Sequence, residues 1–392
     1  MDFVIIGAGQ IGSAVARELV FRDEVSAVRV VDSHARALSE LGDSVSSPKL
    51  QSFQVDARDV HALAPLLAGA SCVIGAGSPA LSLTTARLAL DANSHYCDLG
   101  GPDSVLGEEL ALHDEARARG RWIVPGCGLA PGLVNMLCVR GIELFDEVES
   151  ACIRVGDLPR DPTPPFRFQV SWSAEKLIED YTEPVQYIAD GLLATTDPLT
   201  MEETIRFAPP FDALEAFSTA GSLSMLARGL VGRVRYLDHK TIRWPGHLSQ
   251  MQFVMGLGFG EKRTIDVRTH LTYRDVLIRR MRQRLPQGAP DVVLMRVVVQ
   301  GLKEGRPRSL VYEMLEGPDE ASGVSAMRRC TAVPAAVTAI MLGSGLVEGG
   351  GASPPEGVIP RDRFLELVVS RGLKVTETWR DGFVSVTEPA PG

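Results

Sequence analysis

"MDFVIIGAGQIGSAVARELV", residues 1–20, sets an apolar run, Phe3 to Ile6, directly before glycines at 7, 9 and 12, and then spaces apolar side chains every three to four residues. That pattern predicts a strand, a tight turn and a helix. GxGxxG alone is a weak signal. A strand before it and a helix after it are the context that give it meaning. Gly7 allows the tight turn, Gly9 lets a pyrophosphate approach the backbone, and Gly12 lets helix pack on strand. The free amides at the helix start, around Gln10 and Ile11, together with the positive end of the helix dipole, then face phosphates.

Working outward, Asp32 stands twenty residues after Gly12, where a second strand ends in "RVVDSHARA". A carboxylate there accepts the adenosine ribose hydroxyls and repels a 2′-phosphate, so the guest is a dinucleotide, NAD in preference to NADP. Arg36 lies nearby and is able to pair with a phosphate. Asp56, in "FQVDARD", ends a third strand, at the adenine edge or as a helix N-cap before Val60. In "VIGAGSPALS", residues 73–82, the small residues Ala76 and Gly77 let a dinucleotide lie across the sheet edge.

The same alternation continues to about residue 125. Phe3–Ile6, Ala27–Val31, Leu50–Val55, Cys72–Ile74, His95–Leu99 and Trp122–Val124 read as strands, with helical spacing over 11–21, 36–41, 60–67, 82–92 and 108–119. Strict alternation of strand and helix means a parallel sheet with crossover helices. The expected class is α/β, with a Rossmann domain over 1–126. After "PGCGLAPGLVNML" the runs lengthen: 149–155, 167–172, 263–273 and 292–300 alternate as in a mixed or antiparallel sheet, so 127–330 reads as a second, α+β domain. A final segment, 331–392, holds an apolar helix at 333–342, the Gly/Pro-rich "GSGLVEGGGASPPEGVIP", a helix over 361–370 and a strand over 374–378.

Bulk properties narrow the class. With 392 residues, 45% hydrophobic and 23% charged, the chain reads as a two-domain enzyme. A net charge of −9 argues against nucleic acid. The six cysteines make no CxxC pair, so no metal site is read, and reduced thiols in a cytoplasm are the default. No run reaches the roughly 18 apolar residues of a membrane span.

Four further stretches carry a family likeness. "YCDLGG" (96–101), "PGCGLAPGLVNML" (125–137), "SWSAEKLIEDYTEP" (171–184) and "KTIRWPGH" (240–247) resemble, in order and spacing, motifs of the saccharopine dehydrogenase-like reductases, and within them most of all the lysine 6-dehydrogenases. "AVPAAVTAIMLGSGL" and "PPEGVIP" resemble the closing helix and loop. The resemblance implies a central substrate and dimerisation domain, hence a homodimer, and a C-terminal segment that returns to the Rossmann domain. It implies oxidation of a carbon–nitrogen bond of an amino acid, with oxidative deamination of L-lysine at the ε-carbon first and a saccharopine or carboxynorspermidine-type reaction second. A catalytically silent NAD-binding protein is the reading from another class. One departure stands out: Gly126 occupies a place where lysine 6-dehydrogenases usually carry an acid.

Oxidising an amine by hydride transfer requires an unprotonated nitrogen, whereas an alkyl ammonium keeps its proton at neutral pH. A base or a desolvated site is therefore needed. Asp98, at the end of a parallel strand, His247, exposed by a Pro-Gly turn, and Glu175 are the candidate acid–base groups. Arg243, alternating with Ile242 and Trp244, is the candidate for a substrate carboxylate. Tyr181, Cys127 and Ser222, with Thr219 beside it, are further substrate contacts. Glu175 and Glu179 share a helix face. Leu99 and Gly100 are further candidate cofactor contacts, and Ala130, in the apolar loop Leu129-Ala130-Pro131-Gly132, is expected beside the nicotinamide. A bridged substrate would need more arginines, and Arg154, Arg167 and Arg206 form the available pool.

Overall fold

The computed structural model describes residues 1–221, 223–286 and 288–389. The chain forms two compact units. The first joins Met1–Met136 to Arg328–Leu373. The second joins Leu137–Met327 to the residues from Lys374 onward.

In the first unit, strands β1 (Asp2–Ile6), β2 (Ala27–Asp32), β3 (Leu50–Gln54), β4 (Cys72–Gly75), β5 (His95–Asp98) and β6 (Trp122–Val124) form a wholly parallel sheet in the order β3-β2-β1-β4-β5-β6. A two-residue strand, Gly351–Ala352, pairs parallel to β6 and becomes the outer edge. Phe3 to Ile6 are all buried, as an apolar run covered on both faces must be. This is the Rossmann arrangement read from the sequence. Strand order reverses between β1 and β4, the switch point beyond whose carboxyl ends open α/β sheets bind ligands.

The second unit is built on β7 (Glu147–Pro159), β10 (Glu203–Ile205), β11 (Leu214–Ser218), β12 (Val234–Arg243), β13 (Asp291–Lys303) and β14 (Arg306–Glu316). They lie in the order β10-β11-β12-β7-β13-β14, with Thr376–Asp381 beyond β14. Only β12 and β7 run parallel; the other pairs on this path are antiparallel. A hairpin of β8 (Val185–Ala189) and β9 (Leu192–Thr196) leans on β12.

Two expected strands are absent. Residues 167–172 have no ladder partner; Phe168, Val170 and Trp172 alternate because they feed one apolar cluster with Tyr181, Phe217 and Leu248. Residues 263–273 are irregular up to the helix Tyr273–Arg284, held by one bridge between Thr264 and Thr272, and Val267 is 98% exposed. The helix expected at 333–342 is longer, Ala326–Gly343, because Asp291 accepts from the amides of Ala326 and Met327 and caps an earlier start. No helix among the described residues is long and apolar enough to cross a membrane.

Candidate functional site

The carboxyl ends of β1, β2, β4, β5 and β6 in the first unit carry the residues singled out for a dinucleotide. A Cβ on Gly12 would lie 1.9 Å from the Gly7 carbonyl oxygen, and one on Gly7 would lie 2.9 Å from the backbone of Ala76 and Gly77. Glycine is what lets the turn after β4 close on the turn after β1. Gly9 differs: a Cβ there would meet nothing within 4 Å, so its outer side is open. The helix Gln10–Val20 starts at Gly9 with no side-chain cap, which leaves the Gln10 and Ile11 end free to receive an anion. These residues fit a dinucleotide pyrophosphate.

Asp32 ends β2. One carboxylate oxygen accepts from the Ala8 amide at 2.7 Å, the other from the His34 amide at 2.8 Å. Burial pushes this carboxyl up, but the Ala8 and His34 hydrogen bonds outweigh it and hold it below its usual range. Asp32 is therefore a fixed anion. Arg36 is exposed and pairs with Glu40 at 2.7 Å. Asp56 does not cap the next helix. Asp59 does, accepting from the Ala62 amide, while Asp56 turns to Arg58, whose hydrogen bonds and charge hold it down at about 2.

Asp98 is buried and its oxygens are engaged. One accepts from the amides of Gly100 (2.8 Å) and Gly126 (3.0 Å), the other from the Tyr96 hydroxyl (3.3 Å). It braces the loops after β5 and β6. Gly100 packs against Pro131, which follows Ala130, and against Gly126. Leu99 is half-buried beside it. Gly126 has φ +80° and a Cβ there would lie 3.2 Å from Pro131 Cγ, so the acidic residue common in its place would be strained here. Cys127, read as a substrate contact, is buried, its Sγ donating to the Val124 carbonyl at 3.1 Å.

In the second unit, residues from separated segments converge. Alternation along β12 puts His239, Thr241 and Arg243 on one face of the sheet. Above them, Tyr181, at the end of the helix Ala174–Asp180, shares its hydroxyl with His247 Nε2 (3.0 Å) and receives Arg243 Nε (3.3 Å). Arg243 also donates to the carbonyls of Ile242 and Asp157 and lies over the Phe168 ring. That ring packs on the His247 imidazole at 4.6 Å between centroids, and Phe217 stacks on the same imidazole.

His247 begins the helix His247–Gly256 after Gly246, a left-handed residue. Glu215 holds this turn: its carboxylate accepts from the amides of Gly246 (2.9 Å) and Leu248 (2.5 Å). The histidine is buried, not exposed by the turn, and its Nδ1 has no hydrogen-bond partner among the described residues. Burial, reinforced by Arg243, drives its pKa well below the ordinary value, so the ring is uncharged.

Sequence reasoning missed Asp157, Phe168, Ser171 and Glu215. Asp157 is buried, takes the Ser171 hydroxyl on one oxygen and leaves the other without a partner among the described residues. Burial lifts its carboxyl to about 7. The signal for it was present: an acid in "ACIRVGDL", a strand segment that is apolar apart from Arg154.

Glu175 is not part of this cluster. It is exposed, in the first turn of its helix, and pairs with Arg282 at 2.6 Å, because that face is solvated. Thr219 binds Thr241, Oγ1 to Oγ1, at 2.8 Å. Ser222 lies outside the described residues. Arg154 is on the other face of the sheet, committed to Asp238 and Glu203 in a buried network with Lys240. Arg206 pairs with Glu388 in solvent.

Residues 3–124 match the family described as the saccharopine dehydrogenase NADP binding domain, and 128–373 the saccharopine dehydrogenase C-terminal domain. Among solved structures, the fold resembles the apo saccharopine dehydrogenase (L-Glu forming) of Saccharomyces cerevisiae, with TM-score 0.78 at 17% identity over 97% of this chain and 99% of that one. It also resembles homospermidine synthase of Legionella pneumophila in complex with NAD, with TM-score 0.68 at 13% identity over 97% and 91%.

Proposed function

The chain belongs to the saccharopine dehydrogenase family of oxidoreductases and carries its dinucleotide-binding domain, and from there we propose that it is an NAD-dependent dehydrogenase of an amino-acid CH–NH bond that deaminates L-lysine at the ε-carbon. The balance is lysine ε-ammonium, NAD⁺ and water giving the semialdehyde, ammonium, NADH and a proton. The observation that carries this reading is the buried, uncharged His247, hydrogen-bonded to the Tyr181 hydroxyl that Arg243 also binds, with Nδ1 unpartnered among the described residues.

The bound dinucleotide supplies the hydride acceptor. The protein's own groups must manage the protons. The desolvation and the Arg243 charge that keep His247 neutral act in the same direction on an ammonium brought beside it, lowering the amine's pKa. The Tyr181 hydroxyl is able to donate to Nε2 or accept from it, so Nδ1 is either the protonated or the unprotonated nitrogen of the ring. The same pair then serves the addition of water to the imine.

Asp32 supports NAD over NADP, since a fixed carboxylate at the ribose repels a 2′-phosphate. The arginine pool supports lysine over a bridged substrate, because Arg154 is neutralised by acids on the other face of the sheet. The test is NADH formation at alkaline pH with NAD or NADP, over lysine, ornithine, saccharopine and short diamines, with ammonia assayed alongside. Turnover of saccharopine alone, without ammonia, replaces this reading with the bridged-amine one. NAD binding with no turnover of any amine removes it.

A further inference from the structure

Just past Tyr181 the chain turns through Thr182 and Glu183. That turn, Pro198–Thr200, the end of the helix His247–Gly256 and the start of the helix Tyr273–Arg284 line a cavity of about 670 Å³ within the second unit. The volume falls in the range of small-ligand sites, in a groove that is open to solvent and not enclosed. One wall is Tyr181, the phenol bonded to His247.

The lining carries four charged side chains, and their pairing differs. Glu183 faces Lys262 at 3.8 Å, and Glu261 faces Arg263 at 3.3 Å. Arg274 makes no ion pair among the described residues. Its Nε donates to the Gly260 carbonyl (2.8 Å) and one terminal nitrogen donates to Thr182 Oγ1 (2.7 Å). The neighbouring carboxylate, Asp275, is engaged with Thr272 in the capping box of its helix. Two neutral acceptors thus fix the plane of the Arg274 guanidinium without neutralising it. A planar fork held in place with no carboxylate at ion-pair distance among the described residues is suited to a carboxylate. Glu183 and Glu261 lie on the same lining in long, exposed pairs that an ammonium beside that carboxylate can displace.

We infer that this cavity receives the zwitterionic head of an amino acid, with Arg274 binding its carboxylate. The inference rests on the proposed reaction for the identity of the far, amine-bearing end, but not for the anion site itself.

Calorimetric titration of the full chain with L-lysine, 6-aminohexanoate and 1,5-diaminopentane tests it. The wild type binds the two carboxylates at least about tenfold more tightly than the diamine, as one charged hydrogen-bonded pair provides. Arg274→Gln abolishes the preference without shifting the melting temperature, and Arg274→Lys, a charge without the fork, restores part of it. Should Arg274→Gln not fold, Thr182→Val loosens the guanidinium and weakens lysine severalfold while sparing the diamine. No preference in the wild type, a preference unchanged in Arg274→Gln, or lysine binding unchanged in Thr182→Val would each overturn the inference. NADH formation separates the two ideas: oxidation of diamine and lysine alike removes the role of Arg274 and leaves the reaction, whereas carboxylate preference without NADH does the reverse.

Discussion

The two units build their sites from opposite materials. In the first, the cofactor cradle is backbone: Gly7, Gly9 and Gly12 within six positions, a bare helix start, and one carboxylate at Asp32. In the second, the candidate chemistry is made of side chains drawn from residues 157 to 247, each buried and held by another. A cradle of amides is local in sequence and tolerates no extra atoms. A cluster of buried polar groups is scattered in sequence and depends on who is hydrogen-bonded to whom. Damage to the first should therefore read as lost cofactor affinity, and damage to the second as lost turnover with affinity intact.

The sharpest test is His247→Asn. Steady-state turnover should fall about 10²- to 10⁴-fold, the range for removing a general acid–base group, while calorimetry shows NAD affinity within about twofold of wild type. A parallel loss of NAD binding would break the division. Gly12→Ala comes next: its Cβ would meet the Gly7 carbonyl at 1.9 Å, so we expect a loss of about 3 kcal/mol in stability together with NAD affinity, read by melting and calorimetry.

Asp157 gives a pH test of the second unit. Its carboxyl sits at about 7 in the folded protein against 3.8 as the ordinary value, so the folded state binds more protons between those limits. The stabilisation is complete below about pH 4 and is lost as pH rises through 7, by the linkage of proton binding to folding. Asp180, raised by burial to about 6, acts in the same sense. Asp157→Asn should lose on the order of 1 to 3 kcal/mol less stability across that window, seen as a flatter plot of melting temperature against pH. An unchanged slope would mean that Asp157 is already ionised.

Asp32→Asn should narrow the preference for NAD over NADP by about tenfold, the size of one charge-assisted hydrogen bond, read from the two Michaelis constants. The smallest effect belongs to Glu175→Gln. Its pair with Arg282 is solvent-exposed, so stability and turnover should move by less than about 0.5 kcal/mol. A large loss of turnover would return Glu175 to the site.

The contrast also explains what was legible. The parallel sheet, its first turn and Asp32 were readable because each depends on residues a few positions apart. His247, Tyr181 and Arg243 could be named through motif likeness, but not their hydrogen bonds to one another, since 62 to 66 residues separate the partners. Asp157 and Glu215 look like ordinary strand acids until a tertiary partner is seen. The alternation over 167–172 was real and its interpretation was not: period-two burial arises wherever an extended segment feeds a core, ladder or no ladder. Glu175 shows the converse, a residue inside a motif whose helix face is simply wet.

The outer strand Gly351–Ala352, which closes β6, has a consequence for synthesis. Until it emerges, β6 is the sheet's edge, a three-residue ladder of bare amides and carbonyls next to apolar Ile123 and Val124. Between Met136 and that strand lies the first segment of the second unit. At ribosomal rates this stretch takes roughly 10 to 40 s to make. For that interval the nascent chain carries an open β edge that can pair with other chains. Slowed elongation between these points should therefore raise aggregation, and supplying a holdase during translation should lower it.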